Sequence, residues 1–154
     1  MWQRKQTIFL ALTAFCLVAM IFFPIWKATV GNDEMMLFPL HYTVKTGDVR
    51  STAYFPYALS ALLAVAAATI AIIEIGKYEN RLLQVKMGAL NSLLMAGCIG
   101  SSVYFATNII KMNQVAGNYG WALWLPAIAM VSNMIANRFI RRDEKLVRDA
   151  DRLR

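Results

Sequence analysis

The stretch LLAVAAATIAII at residues 62–73 contains no charged residue and a single hydroxyl, on Thr69. A helix on the surface of a soluble protein carries polar residues along one face at a period of 3.6. This stretch is apolar around its whole circumference instead. A helix of about 20 such residues crosses the hydrocarbon core of a bilayer. The stretch therefore predicts a membrane-spanning helix.

Three further windows share this pattern, and together they occupy most of the chain. We expect an all-α membrane protein, a four-transmembrane-helix bundle forming one integral membrane domain over residues 1–154. The expected spans are about 6–26, 52–75, 88–110 and 119–138. The first window begins like a signal peptide, with Arg4 and Lys5, but bulky residues follow it where a signal peptidase requires small ones. A retained first span is therefore favoured over a cleaved signal.

The overall composition agrees with a membrane protein. Of the 154 residues, 58% are hydrophobic and 16% charged, with a net charge of +7. A soluble domain carries roughly 45–50% apolar and about 25% charged residues. Disorder is excluded by the high apolar content, and a disulfide scaffold by the presence of only two cysteines. Nucleic-acid binding would explain the basic charge but not the hydrophobicity.

The distribution of lysine and arginine predicts the orientation. Twelve of the 16 lie in the N-terminal segment, in the loop at 76–87 and in the C-terminal segment from Arg138 onward, and four lie in the other loops. The positive-inside rule places the larger group, and both termini, in the cytoplasm. Trp and Tyr prefer the membrane–water interface, and the expected outer span ends carry Trp26, Tyr54, Tyr57, Tyr104, Tyr119, Trp121 and Trp124.

The outer loop at 27–51 has β character. Short β-prone runs are separated by Gly-Asn-Asp at 31–33 and Thr-Gly-Asp at 46–48, which favour turns. We expect a short β-like extracytoplasmic loop of two or three strands packed over the outer helix ends. It contains the only histidine, His41, and a metal site is not expected because a single histidine lacks the other ligands that zinc requires.

The tail at 139–154 lacks proline and glycine, so helix 4 is expected to continue into the cytoplasm as an amphipathic helix. Leu146, Ala150 and Leu153 form an apolar stripe along it. Two interpretations stay open: contact with anionic lipid of the inner leaflet, or docking of a cytoplasmic or membrane protein. Acidic residues interrupt the basic ones, which disfavours nucleic acid. The candidate partner- or lipid-binding residues are Arg81, Arg141, Arg142, Arg148 and Arg152.

Small residues in the third span occur at a spacing that lets helix backbones approach closely. They form two pairs four residues apart, Ala96 with Gly100 and Gly97 with Ser101. These four residues are candidates for helix packing, either within the bundle or against another protein.

The predicted spans contain few residues that could support chemistry inside the membrane. Glu74 is the one acidic residue near a span, and we expect it at the interface, paired locally with Lys77 and Tyr78. A proton or cation site is the alternative, but it would call for a second acid that no other span offers. No haem-ligating histidine pair, phosphate-binding loop or nucleophile–base pair is present, so neither an enzyme nor a cofactor is expected.

Three segments resemble a known family: MWQRKQT at 1–7, YENRLLQV at 78–85 and RDEKLVRDADRLR at 142–154. Similar sequences occur in small four-span membrane proteins of Bacteroidota, classified only as a domain of unknown function. Trp2 departs from the aliphatic residue usual there. The resemblance implies a Gram-negative inner membrane and transfers no functional residues. All three segments fall on the expected cytoplasmic side.

These observations lead to two functional hypotheses. The first is a non-enzymatic accessory or assembly protein that docks a partner through its cytoplasmic face. The second is a small oligomeric transporter or channel subunit. The oligomeric state and the identity of any partner or substrate stay open.

Overall fold

The computed structural model describes residues 3–78 and 80–152. Within them, the chain forms four α-helices and five β-strands. The helices are α1 (Gln3–Met20), α2 (Leu59–Gly76), α3 (Arg81–Asn113) and α4 (Trp121–Arg152). The strands are β1 (Trp26–Val30), β2 (Asp33–Leu37), β3 (Tyr42–Thr46), β4 (Val49–Ala53) and β5 (Asn118–Tyr119).

The predicted all-α class, a bundle of four transmembrane helices with a short β-like loop, is wrong. The strands form a five-stranded antiparallel sheet in the order β4-β3-β2-β1-β5. Among the described residues, α2, α3 and α4 are long and apolar enough to cross a membrane, whereas α1 contributes a shorter apolar helix, Lys5–Met20.

The first predicted span, 6–26, fails at its C-terminal end. Helix α1 stops at Met20, the chain turns, and Trp26 already belongs to β1. Pro24 has no backbone N–H to continue a helix. The apolar run at 21–23 suggested a longer helix because hydropathy alone does not distinguish a helix from an apolar turn, and here Phe22 and Phe23 lie exposed in that turn.

Two tight hairpins build most of the sheet. Val30 pairs with Asp33, and Thr46 pairs with Val49, so each connection contains two residues. Gly31 and Gly47 start these turns with φ of 59° and 57°, a conformation that glycine adopts without strain. The two turns predicted from the sequence are thus confirmed, while β5, which joins β1 from the third loop, was not foreseen.

The sheet packs on one end of the helices and shares their core. Trp26, Ile25 and Leu37 are almost fully buried in a cluster that includes Phe105 and Ile109 of α3. The sequence had suggested that Trp26 is an interfacial anchor. This prediction is wrong, because the Trp26 side chain is buried in the core. By contrast, the Trp121 and Trp124 side chains are 71% and 59% exposed.

The four helices alternate in direction. Helix α1 packs on α2 and α4, and α3 packs on the same two helices. The Gly120 N–H donates to the Ile25 carbonyl at 2.8 Å, and the Ala61 N–H to the Pro39 carbonyl at 3.1 Å. These bonds join the starts of α4 and α2 to the sheet. The beginning of α1, the α2–α3 turn and the end of α4 consequently lie at the opposite end, which we call the far end.

Gly120 allows the chain to pass closely over Pro24 at the junction of sheet and helices. A Cβ at this position would collide with the Pro24 carbonyl oxygen. We expect Gly120→Ala to destabilise the protein by about 1–3 kcal/mol through overpacking, measured as a lower thermal midpoint in detergent. Gly100→Ala is the control, because a Cβ there meets nothing within 4 Å. An equal loss in both variants would contradict the close approach at Gly120.

His41 predicts a pH-dependent contribution to stability. Its ring stacks on Phe38 at a centroid distance of 5.0 Å, and burial, with a smaller effect of Arg50, lowers its pKa. A lowered folded-state pKa means that the unfolded chain binds the proton more readily, so this contribution is lost as pH falls below about 6.5. As pH falls from about 7.5 to about 5.5, the thermal midpoint of the wild type should therefore decrease more than that of His41→Phe. A pH-independent difference would contradict this.

Candidate functional site

At the far end, every helix directs a carboxyl or amide side chain inward. The five residues concerned are at most 4% exposed, and we call them the buried polar cluster. They are Gln6 on α1, Glu74 on α2, Gln84 and Asn91 on α3, and Asn133 on α4.

Hydrogen bonds and ring contacts spread these residues over about two helical turns in the half of the bundle towards the far end. The Gln84 Nε2 donates to the Glu74 backbone oxygen at 2.8 Å. The Asn133 Nδ2 donates to the Gly88 carbonyl at 2.8 Å, one turn from both Gln84 and Asn91 on α3. On α1, Gln6 precedes by one turn a phenylalanine that stacks on Phe139 of α4 with centroids 5.9 Å apart.

Helical periodicity explains why Glu74 points inward. The buried face of α2 includes Ser60, Ala64, Ala67 and Ala71, which recur every three or four residues. Glu74 is the next residue on this face and is fully buried. The interpretation of Glu74 as an interfacial residue paired with Lys77 and Tyr78 is therefore wrong. This spacing is a signal in the sequence that would have placed the carboxyl inside.

Gly88 makes room for the polar side chains of α4. A Cβ on Gly88 would collide with the side-chain amide of Asn137, which follows Asn133 by one turn. The absence of a side chain on Gly88 also opens its carbonyl to the Asn133 amide. Helices α3 and α4 thus pack closely at this level through a glycine and two asparagines.

Six side-chain oxygens of the cluster have no hydrogen-bond partner among the described residues. Both carboxylate oxygens of Glu74 lack a hydrogen-bond partner among the described residues, as does the side-chain oxygen of each of the other four residues. In Gln84 and Asn133 the amide nitrogen donates a hydrogen bond to a backbone carbonyl, so the amide oxygen points away from that carbonyl. A buried carboxylate is strongly unfavourable unless a proton or a cation neutralises it.

The arginines that were predicted to bind a partner or lipid fall into two groups. The Arg81 Nη1 donates to the backbone carbonyl of Asp143 at 2.8 Å, so this arginine ties the start of α3 to α4. Arg141, Arg142 and Arg148 are exposed on α4, and Arg142 has an interaction partner. Arg152 lies in the last turn of α4, and its side chain is outside the described residues.

The four small residues of α3 that were predicted to pack against a helix also fall into two groups. Ser101 shares a hydrogen bond with Ser60 of α2, with 3.0 Å between the hydroxyl oxygens. A Cβ on Gly97 would lie 3.6 Å from Leu63 of α2. Ala96 and Gly100 are exposed on the outer surface. Only half of the predicted packing residues therefore face another helix of the same chain.

The sequence matches the family described as "Domain of unknown function (DUF4293)" over residues 2–153. The chain belongs to the DUF4293 family. No curated protein matches it. Within the described part of this DUF4293 chain, no three His, Cys, Asp or Glu side chains come together in an arrangement able to hold a metal. The buried polar cluster, rich in amide oxygens, is thus a different kind of candidate site.

Gly88 provides a test of the packing of this site. Relative to Gly97→Ala, Gly88→Ala should lower the free energy of unfolding of the DUF4293 protein by up to about 1 kcal/mol, because the new methyl group forces the Asn137 side-chain amide to shift. Thermal unfolding in detergent measures the change. Gly97→Ala is the matched control in the same helix, where the added methyl makes an ordinary van der Waals contact. If Gly88→Ala were as stable as Gly97→Ala, the close approach of α3 and α4 would be disproved.

Proposed function

We propose that this protein is a non-enzymatic, multi-pass protein of a bacterial inner membrane that docks a protein partner through the end of α4. Three sets of observations support this proposal: the apolar outer surface, the sorting of charges between the two ends, and the free length of α4.

The outer surface of the helices favours a membrane environment. Large apolar side chains such as Phe15, Leu62, Leu93 and Val131 are more than half exposed. Soluble monomers rarely expose such extensive apolar surface. Trp121 and Trp124 are exposed beside the sheet, where an aromatic belt would meet the lipid–water interface.

The charges favour a cytoplasmic far end. The far end carries the cations of the N-terminal segment, of the α2–α3 turn and of the end of α4, and the sheet end carries four. By the positive-inside rule, the far end and both termini would lie in the cytoplasm. The sheet would then lie on the outer side.

The observation that carries the docking proposal is the projection of α4 beyond the other helices. Among the side chains of α4 that the structure describes, which end at residue 149, Asp143 is the last buried one, and the five side chains at 145–149 are all exposed. At 1.5 Å per residue, the helix continues for about 14 Å past Asp143. Leu146 and Val147 are 58% and 48% exposed on this extension. A short helix without packing is marginal in water, and burying its apolar residues against a partner would stabilise it.

The mixture of charges favours a protein over an anionic lipid surface. Acidic residues, including Glu144 and Asp149, alternate with Lys145 and Arg148 along the extension. A negatively charged membrane attracts the cations and repels the acids, whereas a protein surface with patches of both signs complements them all.

A second candidate function, a small oligomeric transporter or channel subunit, is favoured by one observation. Ionisable and polar residues inside membrane helices are costly and are commonly found along substrate or ion pathways. The buried polar cluster is such a group, and Glu74 is its one ionisable residue.

The docking proposal is tested by the double variant Arg148→Ala/Arg152→Ala. After in vivo crosslinking, a partner recovered with wild-type protein should decrease by about tenfold or more, since arginines often dominate interface energies. Quantitative mass spectrometry measures the recovery. Lys45→Ala/Arg50→Ala is the charge-matched control on the exposed strands β3 and β4 and should retain the partner.

The opposite result separates the two functions. If the α4 variant keeps every crosslinked partner while Glu74→Gln alone reproduces the phenotype of a deletion strain, docking through α4 is refuted and the transport function gains support.

A further inference from the structure

We infer that the sheet end of the molecule binds one zwitterionic phospholipid with a primary ammonium, such as phosphatidylethanolamine, across two neighbouring recesses that share Lys27. The inference rests on the membrane environment of the proposed function and is independent of docking through α4. Neither the family description nor the docking role assigns a ligand to this end.

The first recess is aromatic and lies where the sheet meets the start of α4. Its volume of about 390 Å³ is within the size range of small-molecule sites. It is lined by Pro24, Lys27, Tyr119, Gly120, Trp121 and Trp124. The three aromatic side chains are between 46% and 71% exposed, so they leave aromatic surface open to a ligand.

The second recess is polar and lies on the face of the sheet that is turned away from the helices. Lys27 and Thr29 alternate with the buried Trp26 and Ala28 along β1, so their side chains lie on this outer face. The volume of the recess is about 410 Å³. The polar residues that line it are Lys27, Thr29, Glu34 and Asn118.

A cation and an anion are neighbours in the polar recess. Lys27 pairs with Met36 in the antiparallel register, and Glu34 lies two residues from Met36 on the same face of β2. Such diagonal neighbours are about 7–8 Å apart. Lys45 is opposite Glu34 on β3. Within the described part of the chain, however, no salt bridge engages Lys27, Glu34 or Lys45. Both charges that line the recess are therefore available to a ligand.

The chemistry of these two charges selects the head group. A phosphate accepts hydrogen bonds from the Lys27 ammonium, and a primary ammonium donates to the Glu34 carboxylate. In phosphatidylethanolamine a single ethylene unit joins these two groups, so one head group can contact neighbouring residues of a sheet. A purely anionic head group would leave Glu34 without a partner, and a trimethylammonium has no N–H to donate. Phosphatidylethanolamine complements both residues.

The aromatic recess and the surface of α4 accommodate the rest of the lipid. Trp124, Ile128 and Val131 follow Trp121 at spacings of three or four residues, so the four side chains lie along one face of α4. Each is at least 47% exposed. This apolar stripe begins at the aromatic recess and runs away from the sheet. Because Trp prefers the level where head groups meet hydrocarbon, the glycerol backbone would lie over the two tryptophans and an acyl chain along the stripe.

Native mass spectrometry of the delipidated full-length protein in detergent tests the inference. Phosphatidylethanolamine, phosphatidylglycerol and phosphatidylcholine are offered at equal concentrations. We expect one phosphatidylethanolamine per chain, bound about tenfold more tightly than either other lipid, because each of the others loses the hydrogen bond to Glu34. Lys27→Met should weaken phosphatidylethanolamine binding by about tenfold. Glu34→Gln should largely remove the preference over phosphatidylglycerol.

Two controls accompany these variants. Lys111→Met removes an exposed cation at the same end of the molecule that lines neither recess, and it should bind phosphatidylethanolamine as the wild type does. Glycerophosphoethanolamine, the soluble head group without acyl chains, distinguishes a lipid from a free metabolite. It should not bind at the concentration at which the lipid saturates the protein, because the apolar half of the site then stays empty.

Equal affinities for the three lipids, tighter binding of phosphatidylglycerol, or saturable binding of glycerophosphoethanolamine at that concentration would overturn the inference. Phosphatidylethanolamine binding that Lys27→Met and Glu34→Gln both leave unchanged would overturn it as well, and if one variant does not fold, the other decides. These results leave docking through α4 untouched, since crosslinking in cells measures it. A wild-type protein that stays monodisperse without detergent would instead contradict the membrane environment on which both proposals rest.

Discussion

The helices place their large apolar side chains outside and bring small side chains together inside, and the rest of the structure depends on this arrangement. The inner face of α2 is built on Ala64, Ala67 and Ala71. Small residues allow close helix contact, which is the usual basis of packing where hydrophobic burial supplies little driving force between helices. The polar side chains of the helices then lie inside, away from this apolar surface. The buried polar cluster at the far end is the consequence, and Gly88 provides the space that its asparagines need.

The sheet extends this core. Trp26 follows α1 by only six residues, yet its side chain is buried between strands and helices together with Phe105 of α3. Strand β5 closes the edge next to β1, and Gly120 then starts the last helix against Pro24. The loop between α1 and α2 and the loop between α3 and α4 thus form one structure, held by pairing between residues about ninety positions apart in the sequence. A hairpin alone is marginal in water, and packing on helix ends supplies the missing stability.

Local patterns in the sequence predicted much of this fold. Uninterrupted apolar windows located the four helices, the two glycine turns were placed correctly, and the absence of helix breakers after Phe139 predicted the continuation of α4. The errors concern long-range contacts. The run before Trp26 satisfied a hydropathy criterion for helix, although it forms the turn that leads into β1. Glu74 was assigned to its neighbours along the chain, although it lies on the buried face of its helix. Pairing and burial depend on residues distant in sequence, which a local window does not include.

By itself, the sequence determined the apolar helices, the basic excess at one end and the turn residues, because length, hydropathy and glycine conformation act within a few residues. The tertiary structure alone decided that the α1–α2 and α3–α4 loops together form a five-stranded sheet and that Trp26 belongs to the core. It also decided that one carboxyl and four amides, contributed by four helices, are buried inside the bundle. The physical reason is that burial and hydrogen-bond satisfaction belong to the packed chain as a whole: the same Glu74 is an ordinary surface acid on an isolated helix and an uncompensated buried group once α1, α3 and α4 surround it.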